Sequence, residues 1–302
     1  MKTTARLGML LVLGCLACAG SPETPVVSQT TGADYVAEIE SHRESRVGRL
    51  QTSWLTIAGL FWLEPGENTI GSDPASAVVL PEGAAPAVAG TLTYADGKVA
   101  MFPEAGVEMT VDEAPVGGEI DLTPGESAPE VTLGRLTFWV IERSGRHAIR
   151  LKDPEFQARV DFEGIEFYPV DEAWRVEGHL APYDEPRTMS IETVIGPAEM
   201  TSIGRVEFEL DGTAHSLEAL ESSPEELFLI FKDGTTARGE TYAAGRYHYA
   251  PIAGERVLID FNKAYNPPCA FTPHATCPLP PRGNTLEVAI EAGERAYHLE
   301  GK

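Results

Sequence analysis

The feature that most limits the fold is a regular alternation of short apolar runs with Gly- and Pro-containing turns, which begins near residue 54. Asp96-Gly97 and Asp211-Gly212 each separate two such runs, and this dipeptide favours a tight β-hairpin turn. No segment after residue 50 keeps the apolar period of a long helix. The sequence therefore predicts a mainly β protein, with two antiparallel β-sandwich or barrel-like units and one N-terminal helix.

The predicted helix covers residues 34–53. Its apolar residues recur at nearly helical spacing: Tyr35, Val36, Ile39, Val47 and Leu50. Charged residues lie between them, so one side of the helix is expected to pack on a sheet. Asp34 is the expected N-cap, because a short acidic side chain can accept from the first helical N–H groups.

The strands that follow divide into two predicted domains. Residues 54–155 are expected to form a β-sandwich, and residues 156–302 a second β domain that carries the string DFNKAYNPPC. A chain of 302 residues is long enough for two domains of ordinary size.

The first residues have the pattern of a targeting segment. Lys2 and Arg6 precede a short apolar run, and small residues with two cysteines follow it. The run is too short to span a bilayer as a permanent helix, and this pattern is typical of a cleaved signal peptide. Residues 1–18 are therefore predicted to be a signal peptide with a lipobox.

A lipobox would give the mature protein a lipid anchor. Cys18 is the expected lipidation site and Cys15 the alternative, while ordinary cleavage near Ala19 remains open. Residues 19–33, rich in Ser, Thr and Pro, are then expected to be a flexible tether. The predicted location is outside the cytoplasm, periplasmic or at the cell surface, with the protein anchored to the membrane by its N-terminal lipid.

The charge balance limits the partners. The chain has 46 acidic and 23 basic residues, a net charge of -23. Nucleic acid phosphates need Lys and Arg partners, so no nucleic acid partner is expected. The acidic residues are scattered along the sequence, which fits solubility rather than a specific acidic surface.

Two cysteines remain in the folded part if the targeting segment is removed. Cys269 and Cys277 are close in sequence, and in an oxidising compartment such a pair is expected to form a disulfide. Closing this short loop would stabilise the fold by roughly 2–3 kcal/mol. His274 lies between them, but two Cys and one His leave zinc one ligand short, so no metal is predicted.

The segment 256–284 is the most distinctive candidate site. A short apolar strand runs directly into polar residues, and several prolines follow that stiffen the loop. Stiff polar loops at strand ends often hold ligands. The candidate ligand-binding residues here are Asp260, Asn262, Tyr265 and Asn266. The alternative is that the Asp and Asn side chains brace the turns of the loop.

A second group of candidates precedes this segment. Arg246 lies between Tyr242 and Tyr247, and Asp233 begins a turn. The Arg246 guanidinium either binds a carboxylate or phosphate of a ligand through two N–H groups, or forms an ion pair within the protein. Asp233, Tyr242 and Arg246 are therefore further ligand-binding candidates. On the sandwich, Arg150 is expected to pair with Asp153.

Four strings together resemble a known family: WLTIAGLFWLEPGENTIGSD, GRHAIRLKD, FKDGTTARGETYAAGRY and DFNKAYNPPCAFTPHATCPLPPRGNTL. They are similar to the uncharacterised bacterial and archaeal proteins of the domain of unknown function 1684 family, over about residues 54–294. The resemblance implies one inseparable two-part unit and supplies no catalytic residue.

The order of elements in residues 54–155 also resembles a forkhead-associated sandwich, through GENTIGSDPASAVVLP and LGRLTFWVIERSG. That resemblance implies a sandwich. It does not imply phosphothreonine binding, because Asp73 stands where a cation would be needed.

Several common chemistries lack their motifs. The sequence has no G-x-S-x-G, no H-E-x-x-H, no P-loop and no G-x-G-x-x-G, so no cofactor is expected. The expected function is binding of a small polar or anionic ligand near residues 246–277 by an exported, lipid-anchored protein. The alternatives are a hydrolase that uses carboxylates in the same region and a structural protein of the cell envelope. The sequence specifies neither an enzymatic activity nor an oligomeric state.

Overall fold

The structure, a computed structural model, describes residues 30–125 and 128–297. The predicted signal peptide, with Cys15 and Cys18, and residues 19–29 of the predicted tether lie outside the described residues. The last two tether residues, 32 and 33, belong to the N-terminal helix, which begins earlier than predicted. The predicted fold class is confirmed, since the protein is mainly β, with several sheets and one long N-terminal helix.

Helix α1 (Gly32–Thr52) is the long helix. Its N-cap is Thr31, which makes no side-chain capping bond, so the prediction that Asp34 is the N-cap is wrong. Asp34 lies instead in the first helical turn, where its negative charge interacts favourably with the positive end of the helix dipole. Tyr35, Ile39 and Leu50 are buried on the side that faces the β units.

Two further helices, α2 (Gln157–Val160) and α3 (Gly234–Ala237), are single turns. None of the helices in the described parts of the chain combines the length and the apolar character needed to span a membrane.

The first β unit is a sandwich of two sheets. Its strands, in chain order, are β1 (Ile57–Trp62), β2 (Gly66–Gly71), β3 (Val78–Val79), β4 (Gly90–Ala95), β5 (Lys98–Pro103), β6 (Met109–Val111), β7 (Ala114–Val116), β8 (Ile120–Asp121), β9 (Val131–Leu133), β10 (Leu136–Arg143) and β11 (Arg146–Lys152). One sheet has the order β1-β11-β10-β9-β6-β7 and the other β3-β2-β4-β5-β8. Side chains such as Leu92, Phe138 and Ile149 fill the core of this unit.

The second β unit is a closed barrel. Its six strands are β12 (Arg175–Thr193), β13 (Gly196–Leu210), β14 (Thr213–Ser223), β15 (Glu226–Phe231), β16 (Arg246–Ala253) and β17 (Arg256–Asp260). The apolar cluster of the barrel includes Val206, Leu229, Ile259 and Phe261. β17 pairs with both β12 and β16, so the closed sheet has no open edge.

The two Asp-Gly dipeptides form the predicted hairpin turns. Asp96 and Gly97 have φ values of 50° and 77° between β4 and β5, and Asp211 and Gly212 have 49° and 74° between β13 and β14. Positive φ at both central residues matches the twist of the flanking strands, and Asp and Gly tolerate it best.

Beyond β17 the described chain runs in short turns, and Leu286, Ile290 and Ala292 join the apolar cluster of the barrel. Residues 286–290 look like a strand in the sequence but form none. Their backbone bonds go to the loop around α3: Leu286 N donates to Lys232 O at 2.8 Å, and Gly234 N donates to Val288 O at 2.9 Å. This C-terminal segment therefore braces α3.

Candidate functional site

Arg246 lies at the centre of a buried polar cluster. It is the first residue of β16 and is 0% exposed. Its Nη1 donates to Asp233 Oδ2 at 2.8 Å and to the carbonyl oxygen of Ile290 at 3.0 Å, and its Nη2 donates to that of Ala292. Asp233 Oδ1 also accepts from Thr235 N at 2.7 Å and so caps α3. The contacts make Arg246 and Asp233 an internal ion pair.

The two motif asparagines tie their loop to the rest of the protein. Asn262 Nδ2 donates to the carbonyl oxygen of Asp171 at 2.8 Å, and Asn266 Nδ2 donates to that of Arg295 at 2.7 Å. Both asparagines are buried. Tyr242 is half-buried and donates its hydroxyl to Cys269 O at 3.1 Å. These three side chains make contacts within the protein, and bracing was the alternative interpretation given for the two asparagines.

A cavity of about 600 Å³ lies between α1 and strands β15 to β17. Two of the predicted site residues, Asp260 and Tyr265, line it, whereas Arg246, Asp233, Asn262, Asn266 and Tyr242 do not. We call this cavity the helix–barrel pocket. Its lining residues are His42, Arg46, Arg49, Trp54, Glu226, Tyr247, His248, Tyr249, Pro251, Leu258, Asp260, Lys263, Tyr265 and Pro268.

One face of α1 supplies two arginines and a histidine to the pocket. His42, Arg46 and Arg49 follow each other at helical spacing, so they lie on the same side of the helix. Arg46 is fixed: Nε donates to Glu294 at 2.9 Å, Nη2 donates to Asn266 O at 3.0 Å, and the guanidinium lies 4.7 Å from the Tyr265 ring centre. Arg49 is exposed and donates to a serine one turn earlier.

Asp260 is the buried acidic residue of the pocket, 2% exposed at the end of β17. Its Oδ1 accepts from the Tyr35 hydroxyl at 2.8 Å and from Asn262 N at 3.2 Å. Among the described residues, its Oδ2 has no hydrogen-bond partner. The Lys263 Nζ lies 3.8 Å from Oδ2 and is bound more closely to Glu38, at 2.7 Å.

Both pocket histidines are neutral at pH 7. Burial lowers the pKa of His248 to about 3, and its Nε2 accepts from Asp260 N at 3.2 Å. Burial, followed by the charges of Lys263, Arg49 and Arg46, lowers the pKa of His42 to about 4. Burial is the largest cause of the His42 shift, and the charges of the neighbouring cations oppose its protonation further.

Tyrosine rings form the apolar wall. Tyr249 is 42% exposed and stacks on Phe228 with ring centres 4.8 Å apart, and Tyr247 meets Tyr265 edge to face at 5.8 Å. Burial raises the pKa of Tyr247 and of Tyr265, so both keep their protons. The wall is therefore uncharged and can cover the apolar part of a ligand.

Residues 160–295 match the family model described as Protein of unknown function (DUF1684). Over these residues the chain belongs to the DUF1684 family. The match covers the barrel and the C-terminal segment and is shorter than the resemblance seen in the sequence, which began near residue 54. No curated protein matches the chain.

Solved structures similar to this DUF1684 chain include an uncharacterized protein of Haloarcula marismortui, determined by solution NMR. It is 32% identical, over 45% of this chain and 78% of that protein, with a TM-score of 0.38. The FhaA FHA domain, solved in a complex, is 19% identical over 30% of this chain and 86% of its own, with a TM-score of 0.23.

Another FHA domain, from a study of phosphothreonine-dependent interactions, is 18% identical over 31% of this chain and 92% of its own, with a TM-score of 0.23. Likenesses at these TM-scores assign no function to the DUF1684 chain.

The predicted disulfide is not formed in the structure, which holds Cys269 and Cys277 as two thiols. The two residues are nevertheless adjacent, since Cys269 N donates to Cys277 Sγ at 3.1 Å. The hydrogen bond with the Cys269 side chain, followed by burial, raises the pKa of Cys277 and keeps it protonated.

The predicted pair of Arg150 and Asp153 is wrong. Asp153 binds Arg135 instead, through two bonds of 2.9 and 3.1 Å. Arg150 points from β11 towards Trp54, 5.2 Å from the ring centre, and its Nε and Nη2 have no hydrogen-bond partner among the described residues. Burial lowers the pKa of Arg150 to about 10.

The described residues contain no group of three or more His, Cys, Asp or Glu side chains that could hold a metal ion. Lys263 of the motif loop was missed as a pocket donor, and so were three donors on α1, which are His42, Arg46 and Arg49. They look like ordinary polar residues between the apolar positions of a helix. Their shared face was the only sequence signal that could have identified them.

Proposed function

We propose that this DUF1684 protein binds a small organic anion in the helix–barrel pocket. The observation that carries this proposal is the lining of the cavity by Arg46, Arg49 and Lys263 in a chain whose net charge is -23. The volume of about 600 Å³ suits a small molecule, because ligand pockets usually measure roughly 300–1,000 Å³.

The arginines are suited to different tasks. Arg46 is held by Glu294 and Asn266 through Nε and Nη2, so its Nη1 can serve a ligand without any movement of the side chain. Arg49 is exposed and can close on the ligand. A guanidinium pairs with carboxylate or phosphate through parallel N–H groups, which makes it the preferred residue for such anions.

The proposal is tested by measuring thermal shifts and calorimetric binding with a panel of small carboxylates and phosphates. We expect some of these anions to raise the melting temperature of the wild-type protein. Arg49→Glu, which reverses the charge at an exposed position, should weaken binding by about tenfold or more, or roughly 1.4 kcal/mol.

Arg256→Gln is the matched control, since Arg256 is an exposed arginine outside the pocket that pairs with Glu177 at 2.8 Å. It should bind the anions as the wild type does. If no anion in the panel binds, or if Arg49→Glu binds unchanged, the proposal is wrong and a structural role in the cell envelope becomes the better account.

A second candidate function is hydrolysis assisted by carboxylates in the same place. Glu226 and Asp260 both line the pocket, which supplies two acidic side chains to one cavity. A hydrolase would release product from a panel of esters, glycosides and phosphoesters, and Asp260→Asn or Glu226→Gln would abolish that release. Product release that survives both substitutions would exclude these carboxylates as the catalytic groups.

We also propose that the protein is exported and anchored by acyl chains on Cys18, or on Cys15. The support is the basic start, the short apolar run and the two cysteines in residues 1–18. Mass spectrometry of the mature N-terminus decides this, because a free, unacylated N-terminus at Ala19 or later would contradict it.

In an oxidising compartment, we propose that Cys269 and Cys277 join as a disulfide, with a compartment oxidant taking up the two electrons and two protons released. The support is the contact between the two residues. Thiol titration of the denatured protein, isolated under conditions that block exchange, should find neither thiol free. Two titratable thiols would refute the bond.

A further inference from the structure

We infer that the ligand of the helix–barrel pocket carries a hydrogen-bond donor, a hydroxyl or an ammonium group, at the end opposite its anionic group. This inference rests on the proposed function and names the chemical class of the ligand. The class is that of hydroxylated or aminated organic acids and phosphates.

The first step is the state of the Asp260 carboxylate. Its Oδ2 is buried, lies in a residue that lines the pocket, and has no hydrogen-bond partner among the described residues. Native proteins satisfy nearly all their buried polar atoms, so an exception at a cavity indicates an atom reserved for a ligand or a water.

The second step is that the position of Oδ2 is fixed. Oδ1 accepts from the Tyr35 hydroxyl and from the backbone and side chain of Asn262, and the Asp260 backbone N–H is bound to His248. The carboxylate therefore cannot turn to find another donor. Lys263 is the nearest cation, but at 3.8 Å it lies beyond hydrogen-bond distance and its closer partner is Glu38.

The third step is the position of the cations relative to Asp260. Asp260 contacts α1 at Tyr35 in the first turns, whereas Arg46 and Arg49 lie three to four turns later on the same helix. The rise of an α-helix separates Tyr35 from Arg46 by about 16 Å along the axis. The long arginine side chains shorten this gap, and from this spacing we place the acceptor and the two arginines towards different ends of the pocket. Lys263 lies at the Asp260 end, where its charge is paired with Glu38.

The charges then select the ligand. An anionic group placed beside Asp260 would be repelled, while the same group beside Arg46 and Arg49 would be attracted. A hydroxyl or ammonium beside Oδ2 satisfies a buried acceptor. The pocket therefore favours a molecule that is anionic at one end and donates a hydrogen bond at the other, with its middle against the tyrosine wall.

Calorimetry with three matched probes tests this: hexanoate, 6-hydroxyhexanoate and 6-aminohexanoate. Wild-type protein should bind the hydroxy or amino acid at least about tenfold more tightly than hexanoate, because the plain acid leaves the buried oxygen unpaired. Asp260→Asn should remove that advantage by taking away the charged acceptor. Arg49→Glu should weaken all three probes by a similar factor.

The outcomes separate the two claims. If wild-type protein binds all three probes equally and Arg49→Glu weakens them all, the anion site stands and the inference about Asp260 is overturned. If none of the probes binds, or Arg49→Glu has no effect, both claims fall. The wild-type affinity ratio decides the question even if Asp260→Asn, which also disturbs the bond from Tyr35, does not fold.

Discussion

Two clusters built on arginines use the same side chain in opposite ways. In the cluster around Arg246, which is 0% exposed, the guanidinium meets a buried carboxylate and two carbonyl oxygens. In the helix–barrel pocket, Nε and Nη2 of Arg46 are bound to Glu294 and to the Asn266 carbonyl, and Arg49 is exposed. The motif residue is an internal brace, and the side chains available to a ligand come from an ordinary helix.

The two clusters differ because Arg246 is covered by other parts of the protein, whereas the α1 arginines face a cavity. Arg246 is the first residue of β16 and is buried beneath the C-terminal segment, to which it donates at Ala292. Its charge is shielded from water and must be neutralised within the protein. The residues of α1 face a cavity that water or a ligand can fill. A buried guanidinium paired with a carboxylate therefore indicates a structural role, even though the Arg246 Nε has no partner among the described residues, and partial pairing beside a cavity indicates a binding role.

The largest expected effect comes from breaking the buried pair. Asp233→Ala leaves the Arg246 charge without its carboxylate and removes the cap of α3. We expect a loss of about 3–5 kcal/mol in the free energy of unfolding, measured by denaturant titration. The double variant Asp233→Leu/Arg246→Met, which buries no charge, should be more stable than Asp233→Ala. A loss below about 1 kcal/mol for Asp233→Ala would show that the pair is not a brace.

The next effect is the dependence of stability on pH. The pKa of His248 is about 3 in the folded protein, where burial, Lys263, His42 and Arg246 all oppose its protonation. In the unfolded chain it is about 6.5. Above pH 6.5 neither state binds the proton, so the full stability is present. As the pH falls below 6.5, the unfolded state alone takes up the proton, and stability is lost down to the folded pKa.

Between about pH 6.5 and 4.5 this proton uptake should cost about 2–3 kcal/mol. Denaturant titrations at several pH values measure the slope. In His248→Gln, whose amide oxygen can still accept from the Asp260 N–H, the His248 share of the slope should disappear, while the share of His42, whose pKa is also lowered, remains. An equal slope in the variant would assign the pH dependence to other groups, His42 first among them.

Much of the fold could be predicted from the sequence, because its signals are local. The Asp96-Gly97 and Asp211-Gly212 turns and the helical spacing of α1 each depend on a few neighbouring residues. The absence of a strand at residues 286–290 could not be predicted in this way. Its apolar pattern suits a strand, but its backbone bonds go to a distant loop around Lys232.

The site was only partly predictable for the same reason. Asp260 and Tyr265 were predicted because they follow a strand in a stiff loop, and both line the pocket. Arg46 and Arg49 reach it only through the packing of α1 on the barrel, which no local pattern records. The pairing of Asp153 with Arg135 rather than Arg150 is likewise decided by strand neighbours far apart in sequence.

A smaller effect is expected at Arg150, a buried arginine that, unlike Arg246, forms no ion pair with any of the described residues. Arg150→Met removes a desolvated charge and keeps most of the apolar stem, at the cost of the contact with Trp54. The two terms are of similar size, so the free energy of unfolding should change by no more than about 1 kcal/mol. Arg246→Met measured beside it should lose far more. A large loss for Arg150→Met would mean that Arg150 also has an acceptor.

The smallest effect on stability is expected at Arg49, and it sharpens the contrast most. Arg49 is exposed and, among the described residues, donates only to a neighbouring serine, so Arg49→Gln should alter the free energy of unfolding by less than about 0.5 kcal/mol. The pKa of His42 should nevertheless rise from about 4, because Arg49 is one of the charges that lower it. NMR titration of the His42 ring measures this shift. A bound anion should also raise the His42 pKa in the wild type, because it offsets the charges of the nearby cations. A His42 pKa that changes neither on Arg49→Gln nor on anion binding would contradict an electrostatic effect of the α1 arginines in the pocket.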